Sequence, residues 1–140
     1  MKKITKILFV CKHNRFRSRV AEAYFNKIKP RKNIVTRGGG LIVGTYPLDK
    51  TELIATRKLG LDIDGKPQAL TMEKIIWADL TIIVADDIPS FLFDHYRANY
   101  KKKIIIWKIK DIKPSQGVKD AEVIIKQIMS KVDRFVKSLV

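Results

Sequence analysis

Eight consecutive residues, C-K-H-N-R-F-R-S from Cys11 to Ser18, hold the chain's one cysteine, an arginine six positions later and a serine directly after it. An apolar run leads into Cys11, and an alanine-containing helical pattern follows Ser18. A loop between a buried strand and a helix can turn successive backbone N–H groups toward one point, a concavity that attracts anions and is backed by the helix N-terminus. Free cysteine titrates near 8.5, and such surroundings bring a thiol to roughly 3.5–7.5. A fall of about three units favours the thiolate by ~4 kcal/mol. Arg17 adds a planar fork able to hold two oxygens of a tetrahedral oxyanion, a geometry that lysine lacks. The spacing therefore predicts a nucleophile and an oxyanion cradle within one octapeptide. The plainer alternative, a small buried cysteine at a strand end, has to contend with the Arg-Ser pair and with the strand–loop–helix setting around it.

The elements that must place this loop are readable from periodicity. Residues 4–10 form a short apolar run suited to a buried strand. Val20, Ala21, Tyr24, Phe25 and Ile28 recur at helical spacing until Pro30 ends the pattern. Residues 33–37 predict a second strand, closed by Gly38-Gly39-Gly40. A helix is expected over 47–60, with Asp49 near its start and Gly60 as its C-terminal cap. A short helix follows over 71–77 with Thr71 as N-cap, then strands over 80–85 and 104–107. Ala121, Ile125, Ile128, Val132, Phe135 and Leu139 step by three and four along a last helix. Strands alternating with helices predict an α/β fold: a parallel four-stranded sheet covered by helices on both faces. Ligands in such folds sit outside the carboxyl ends of the strands, which is where Cys11 falls.

Composition narrows the classes. The 140 residues are 46% hydrophobic and 31% charged, the profile of one folded domain spanning residues 1–140. No apolar stretch approaches the roughly 20 residues of a membrane span. The opening "MKKITKILFV" reads as a first strand and not as a signal peptide. One cysteine and two histidines argue against a structural zinc site, and a lone thiol fits a reducing, cytoplasmic setting. The 29 Lys and Arg against 14 Asp and Glu give a net charge of +15. Such a field favours anionic partners, among them phosphorylated proteins, small phosphoesters and, less favoured, nucleic acid. "GGLIVGT" has the glycine spacing of a nucleotide-binding loop, but Thr45 stands where lysine is required.

The stretch "VCKHNRFRSRVAEAYFNK" resembles the phosphate-binding loop of the low-molecular-weight protein tyrosine phosphatases, a family that includes related arsenate reductases. Cys11, Asn14, Arg17, Ser18, Ala21 and Glu22 match its pattern, and the form with His13 is similar to the arsenate-reductase branch. "GTYPLDKTELIATRKLGLDIDG" and "WADLTIIVADD" resemble further family stretches, so the likeness spans most of the chain. The resemblance implies a phosphatase-I-like fold and a metal-free, cofactor-free reaction. Cys11 would attack phosphorus to form a cysteinyl-phosphate. Lys12, His13, Asn14, Arg15, Phe16, Arg17 and Ser18 would form the phosphate-binding loop. Ser18 would donate to the thiolate, and Asn14 would hold the loop's backbone. Asp111, in a Trp-x-x-x-Asp frame, matches the family's general acid, with Asp86, Asp87 and Asp120 as competitors.

The chain also departs from that pattern. Arg15 and Phe16 stand at loop positions where the family has small residues. Isoleucine replaces the proline after the acid, and Lys113, Pro114 and Ser115 stand where phosphotyrosine enzymes carry aromatics. "TRGGG" replaces a stretch with a supporting serine. The resemblance thus implies a cysteine-dependent phosphomonoesterase acting on phosphotyrosine or a related ester. Two other readings stay open: arsenate reduction resolved by an external small thiol, and a phosphate- or nucleic-acid-binding module without turnover.

Overall fold

Residues 3–44, 49–63 and 65–140 are described by the computed structural model. In chain order they form β1 (Lys6–Cys11), α1 (Arg17–Ile28), β2 (Val35–Gly40), α2 (Lys50–Lys58), α3 (Met72–Trp77), β3 (Leu80–Val84), a 3-10 turn (Ser90–Phe93), α4 (Asp94–Tyr100), β4 (Lys103–Trp107) and α5 (Val118–Ser138). All strand pairs are parallel and the sheet order is β2-β1-β3-β4. The chain therefore runs from β1 to one neighbour and later returns to its other side. The carboxyl end of β1 lies at that reversal, the crevice where open α/β sheets bind ligands.

Alternation along the strands feeds two apolar layers. Ile7 and Phe9 of β1, with Leu80, Ile82 and Val84 of β3, pack against Phe25 of α1 and Ile125, Ile128 and Val132 of α5. Leu8, Val10 and Ile83 face the other way, onto Ile75 of α3 and Phe93. Helices thus cover both faces, as the near-continuous apolar strands require. At the opposite end Asp79 ties β1 to β3 by accepting from the backbone N–H groups of Thr5 (2.9 Å) and Lys6 (3.0 Å). No helix among the described residues is long and apolar enough to cross a membrane.

The punctuation in the sequence acts as expected in most places. Thr71 caps α3 by accepting from the Lys74 N–H at 3.2 Å, and Asp49 caps α2 through Thr51 at 3.3 Å. Gly60 follows α2 with φ of +75°, the left-handed turn a helix end needs. Thr45, Pro47 and Leu48, which fall in the glycine loop and the predicted start of this helix, lie outside the described residues, as does Asp64. Two elements differ from expectation. Residues 94–100 form α4, which buries none of its residues and so left no apolar period to read.

The second difference bears on the site. β2 runs past the expected 33–37: Gly38, Gly39 and Gly40 are paired residues of the strand, opposite Phe9, Val10 and Cys11. A Cβ on Gly40 would sit 2.6 Å from the His13 carbonyl carbon and 2.8 Å from the Asn14 nitrogen. A Cβ on Gly38 would meet Asn14 Nδ2 at 2.8 Å. Bare strand backbone is what lets the Cys11 loop fold down onto the sheet. Gly40→Ala should lower stability on the order of 3 kcal/mol, since backbone and not a mobile side chain must yield. Its urea midpoint, compared with that of the unsubstituted chain, checks this.

Candidate active site

Cys11 is the last residue of β1 and Arg17 the first of α1, so the candidate loop is the β1–α1 connection. Neighbouring backbone straps it to the strand beside it. The Leu41 and Ile42 N–H groups donate to the carbonyls of Cys11 (3.2 Å) and Lys12 (2.8 Å). His13 Nδ1 donates to the Ile42 carbonyl at 2.9 Å. Inside the loop Asn14 takes φ of 49°, a left-handed conformation that asparagine tolerates better than most residues. Both ends of its carboxamide are engaged: Oδ1 accepts from the Gln68 N–H at 2.8 Å and Nδ2 donates to Ser18 Oγ at 2.7 Å. Asn14 thereby joins the loop to the segment before α3 and fixes Ser18.

Cys11 is 2% exposed, and its sulfur sits at the centre of this scaffold. Ser18 Oγ lies 3.1 Å from it, and the Asn14 backbone N–H donates to it at 3.2 Å. Because Ser18 Oγ already accepts from Asn14, its own proton is left for the sulfur. Two donors thus converge on one atom. Around the mouth, a small pocket is lined by Cys11, His13, Arg15, Phe16, Arg17 and Asp111. Phe16, the bulky loop residue, is 3% exposed and belongs to the main apolar cluster. Its bulk is absorbed by the core.

Arg17 is 1% exposed despite its charge. Nη1 donates to the Ile109 carbonyl at 2.9 Å, and Nη2 donates to Asp87 at 3.1 and 3.3 Å. Asp86 stands 3.8 Å and Asp111 3.6 Å from the same guanidinium. Charge and donors are largely matched, as burial demands. The β3 end and the loop after β4 meet here: Asp86 N–H also donates to the Ile109 carbonyl at 3.1 Å. The four candidate acids are thereby separated. Asp87 and Asp86 hold Arg17. Asp120 accepts from the Gly117 N–H at 3.0 Å and so caps α5. Asp111 alone of the four lines the pocket with Cys11. One of its oxygens accepts from the Ile112 N–H at 2.9 Å, which leaves the other turned to Arg17.

Sequence reasoning missed Glu52. It lies on α2, is 1% exposed, and its Oε1 stands 3.7 Å from Arg15 Nη2. Burial pushes its carboxyl up to about 7; Arg15 opposes that and Asp111 adds to it. A signal was present. Glu52 shares a helical face with Ala55 and Thr56, both buried, so its spacing placed a carboxylate on the inner side of α2. Glu22, one of the motif residues, is structural here, accepting from Thr36 Oγ1 at 2.7 Å.

A family model, "Low molecular weight phosphotyrosine protein phosphatase", matches residues 6–135. No curated protein matches the chain in sequence. Among solved structures, an arsenate reductase from Archaeoglobus fulgidus is 22% identical, covering 94% of this chain and 98% of its own, with a TM-score of 0.71. The tyrosine phosphatase Wzb from Escherichia coli K30, in complex with sulphate, is 18% identical, with 98% and 99% covered and a TM-score of 0.78. The YwlE arginine phosphatase from Geobacillus stearothermophilus is 16% identical, with 96% and 92% covered and a TM-score of 0.76. At these identities the likeness is one of fold.

Proposed function

The chain belongs to the low molecular weight phosphotyrosine protein phosphatase family, and we propose on that premise that it is a cysteine-dependent phosphomonoesterase. One observation carries the reading: the Cys11 sulfur receives Ser18 and the Asn14 N–H in the pocket that Arg17 and Asp111 line. Cys11 thiolate attacks phosphorus opposite the ester oxygen, forming the S–P bond as the O–P bond breaks. Asp111 gives its proton to the departing oxygen. The deprotonated Asp111 then takes a proton from water, whose oxygen attacks phosphorus and returns the thiolate while phosphate leaves. Arg17 and the loop N–H groups hold the equatorial oxygens throughout, which is where phosphoryl transfer most needs charge. To do so the Arg17 fork turns part of its hydrogen bonding from Asp87 to the substrate.

The substrate class is a phosphomonoester, phosphotyrosine among the candidates. The pocket wall offers His13, Arg15 and Asp111, so affinity for the ester's phosphate outweighs any grip on an aromatic leaving group. Arsenate reduction would need thiols beyond Cys11, the only cysteine, and so an external one.

The test is hydrolysis of para-nitrophenyl phosphate with a chelator present. Turnover is expected, and Asp111→Asn should slow kcat by about 10²–10⁴-fold. The loss should be greater with phenyl phosphate, whose leaving group needs the proton more. Equal losses on both esters would remove Asp111 from the acid role. No turnover of any phosphomonoester, with arsenate consumed in the presence of glutathione, would replace the phosphatase reading by the reductase one.

A further inference from the structure

Glu52 takes no part in the chemistry above, yet it is the deeply buried carboxyl closest to it. Its side chain is 1% exposed, and Oε2 has no hydrogen-bond partner among the described residues. Such a group opposes folding unless something compensates for it. The nearest cation is Arg15, 3.7 Å away and 29% exposed, on the loop that forms the cradle. Arg15 also lines the small pocket over Cys11. Arg15 therefore borders both the buried carboxylate of α2 and the pocket over Cys11.

We infer that Glu52 is a positioning residue that draws Arg15 back onto α2 and so limits how much of its charge reaches an anion bound over Cys11. The inference rests on the proposed cradle for a tetrahedral oxyanion and adds to it a control on affinity. The charged groups that act on Glu52 are Arg15 and Arg17 from the loop and α1, Asp111 from the segment after β4, and Asp49 at the start of its own helix. The other element packed along α2 is α5, whose Glu122 joins it through Lys58, 3.2 Å away at the far end of α2. Arg15 is the nearest of these groups and, apart from Arg17, the one cation. Loss of the Glu52 charge therefore acts chiefly through Arg15.

Sulfate is the probe, because its charge is constant across the pH range that matters while phosphate's is not. The measurement is its inhibition constant against para-nitrophenyl phosphate at pH 5.5 and pH 8, with calorimetry in parallel. In the unsubstituted protein sulfate should bind more tightly at pH 5.5, where Glu52 is neutral, than at pH 8. Glu52→Gln should tighten sulfate by roughly five- to tenfold at pH 8, the scale of one charge acting across several partly solvated ångströms. It should lower KM with kcat little changed, and it should leave the difference between the two pH values smaller. Arg15→Gln should weaken sulfate, and the double variant should match Arg15→Gln alone.

Folding is a separate readout. A carboxyl whose folded pKa is raised to about 7 contributes stability at low pH that is lost as pH rises through 7. Glu52→Gln should therefore melt no lower than the unsubstituted protein at pH 8. Sulfate that binds all variants alike, or more weakly in Glu52→Gln, overturns the positioning role and leaves the cradle standing. Sulfate that binds none of them overturns both.

Discussion

Cys11→Ser is expected to abolish phosphomonoester turnover, with kcat reduced by about 10⁴-fold or more, the scale seen when a nucleophile acting within a unit is removed. The size follows from where the sulfur sits. A thiol is the side chain that ionises nearest neutrality among the hydroxyl-like nucleophiles, and Ser18 and the Asn14 N–H both donate to it, at 3.1 and 3.2 Å. Serine at position 11 keeps its proton at pH 7, and those same two donors then have no anion to stabilise. The substitution removes one atom's chemistry and little else. Asn14 still accepts from Gln68 and still donates to Ser18, so the loop conformation stays. Anion affinity, read with sulfate, should therefore survive within a few fold. Loss of turnover with retained binding separates a nucleophile from a structural cysteine. If both vanish together, Cys11 holds the loop's shape and nothing more.

Arg17→Lys is expected to lower kcat/KM by roughly 10³-fold, at the lower end of what a transition-state arginine contributes to phosphoryl transfer. Lysine preserves the charge that Asp87 and Asp86 require, so the site is not left with unpaired carboxylates. It cannot give one donor to the Ile109 carbonyl at 2.9 Å and a second to an oxyanion in the plane of a fork. Arg17→Ala does both kinds of damage. It strips the cation from beside three carboxylates and should lower stability by about 3 kcal/mol, as breaking a buried pair does. The comparison separates the two roles. An activity loss that tracked stability alone would put lysine near the unsubstituted enzyme and alanine far below it. The account instead places both near the bottom in kcat/KM, with only alanine markedly less stable to urea.

What was legible in the sequence is what the chain encodes locally. The cysteine, the arginine and the serine fall within eight residues, and the strand before them and the helix after them show their own periods. Asn14's part in holding the loop came from the family resemblance alone; its left-handed backbone, which suits a carboxamide, appears only in the structure. The parallel sheet followed from alternation, and the crevice followed from the sheet.

What stayed hidden are pairings between distant segments, which leave no period. Asp87 and Arg17 are 70 positions apart, and the carboxylate's part in holding the guanidinium appears only once β1 and β3 lie side by side. Asp111 was favoured among four acids by resemblance, while the geometry sets three of them around Arg17, only Asp111 of these also lining the pocket, and puts Asp120 on a helix end. The glycines of β2 read as the close of the strand and not as part of it, because glycine is rare inside strands. Their place there is explained by a neighbour, the loop at His13 and Asn14, that no local window contains. Glu52 was visible as a spacing and overlooked as a charge.

The central claim is that phosphorus passes through the Cys11 sulfur, and one measurement meets it directly. The Asp111→Asn variant, whose second step lacks its base, is mixed with radiolabelled para-nitrophenyl phosphate, quenched within milliseconds to seconds, and digested for peptide mapping. The account predicts label approaching one phosphoryl group per chain, on the peptide containing Cys11 and in a linkage as labile as a thiophosphate ester. Steady turnover with no label on that peptide, or with label on any other side chain, would contradict it.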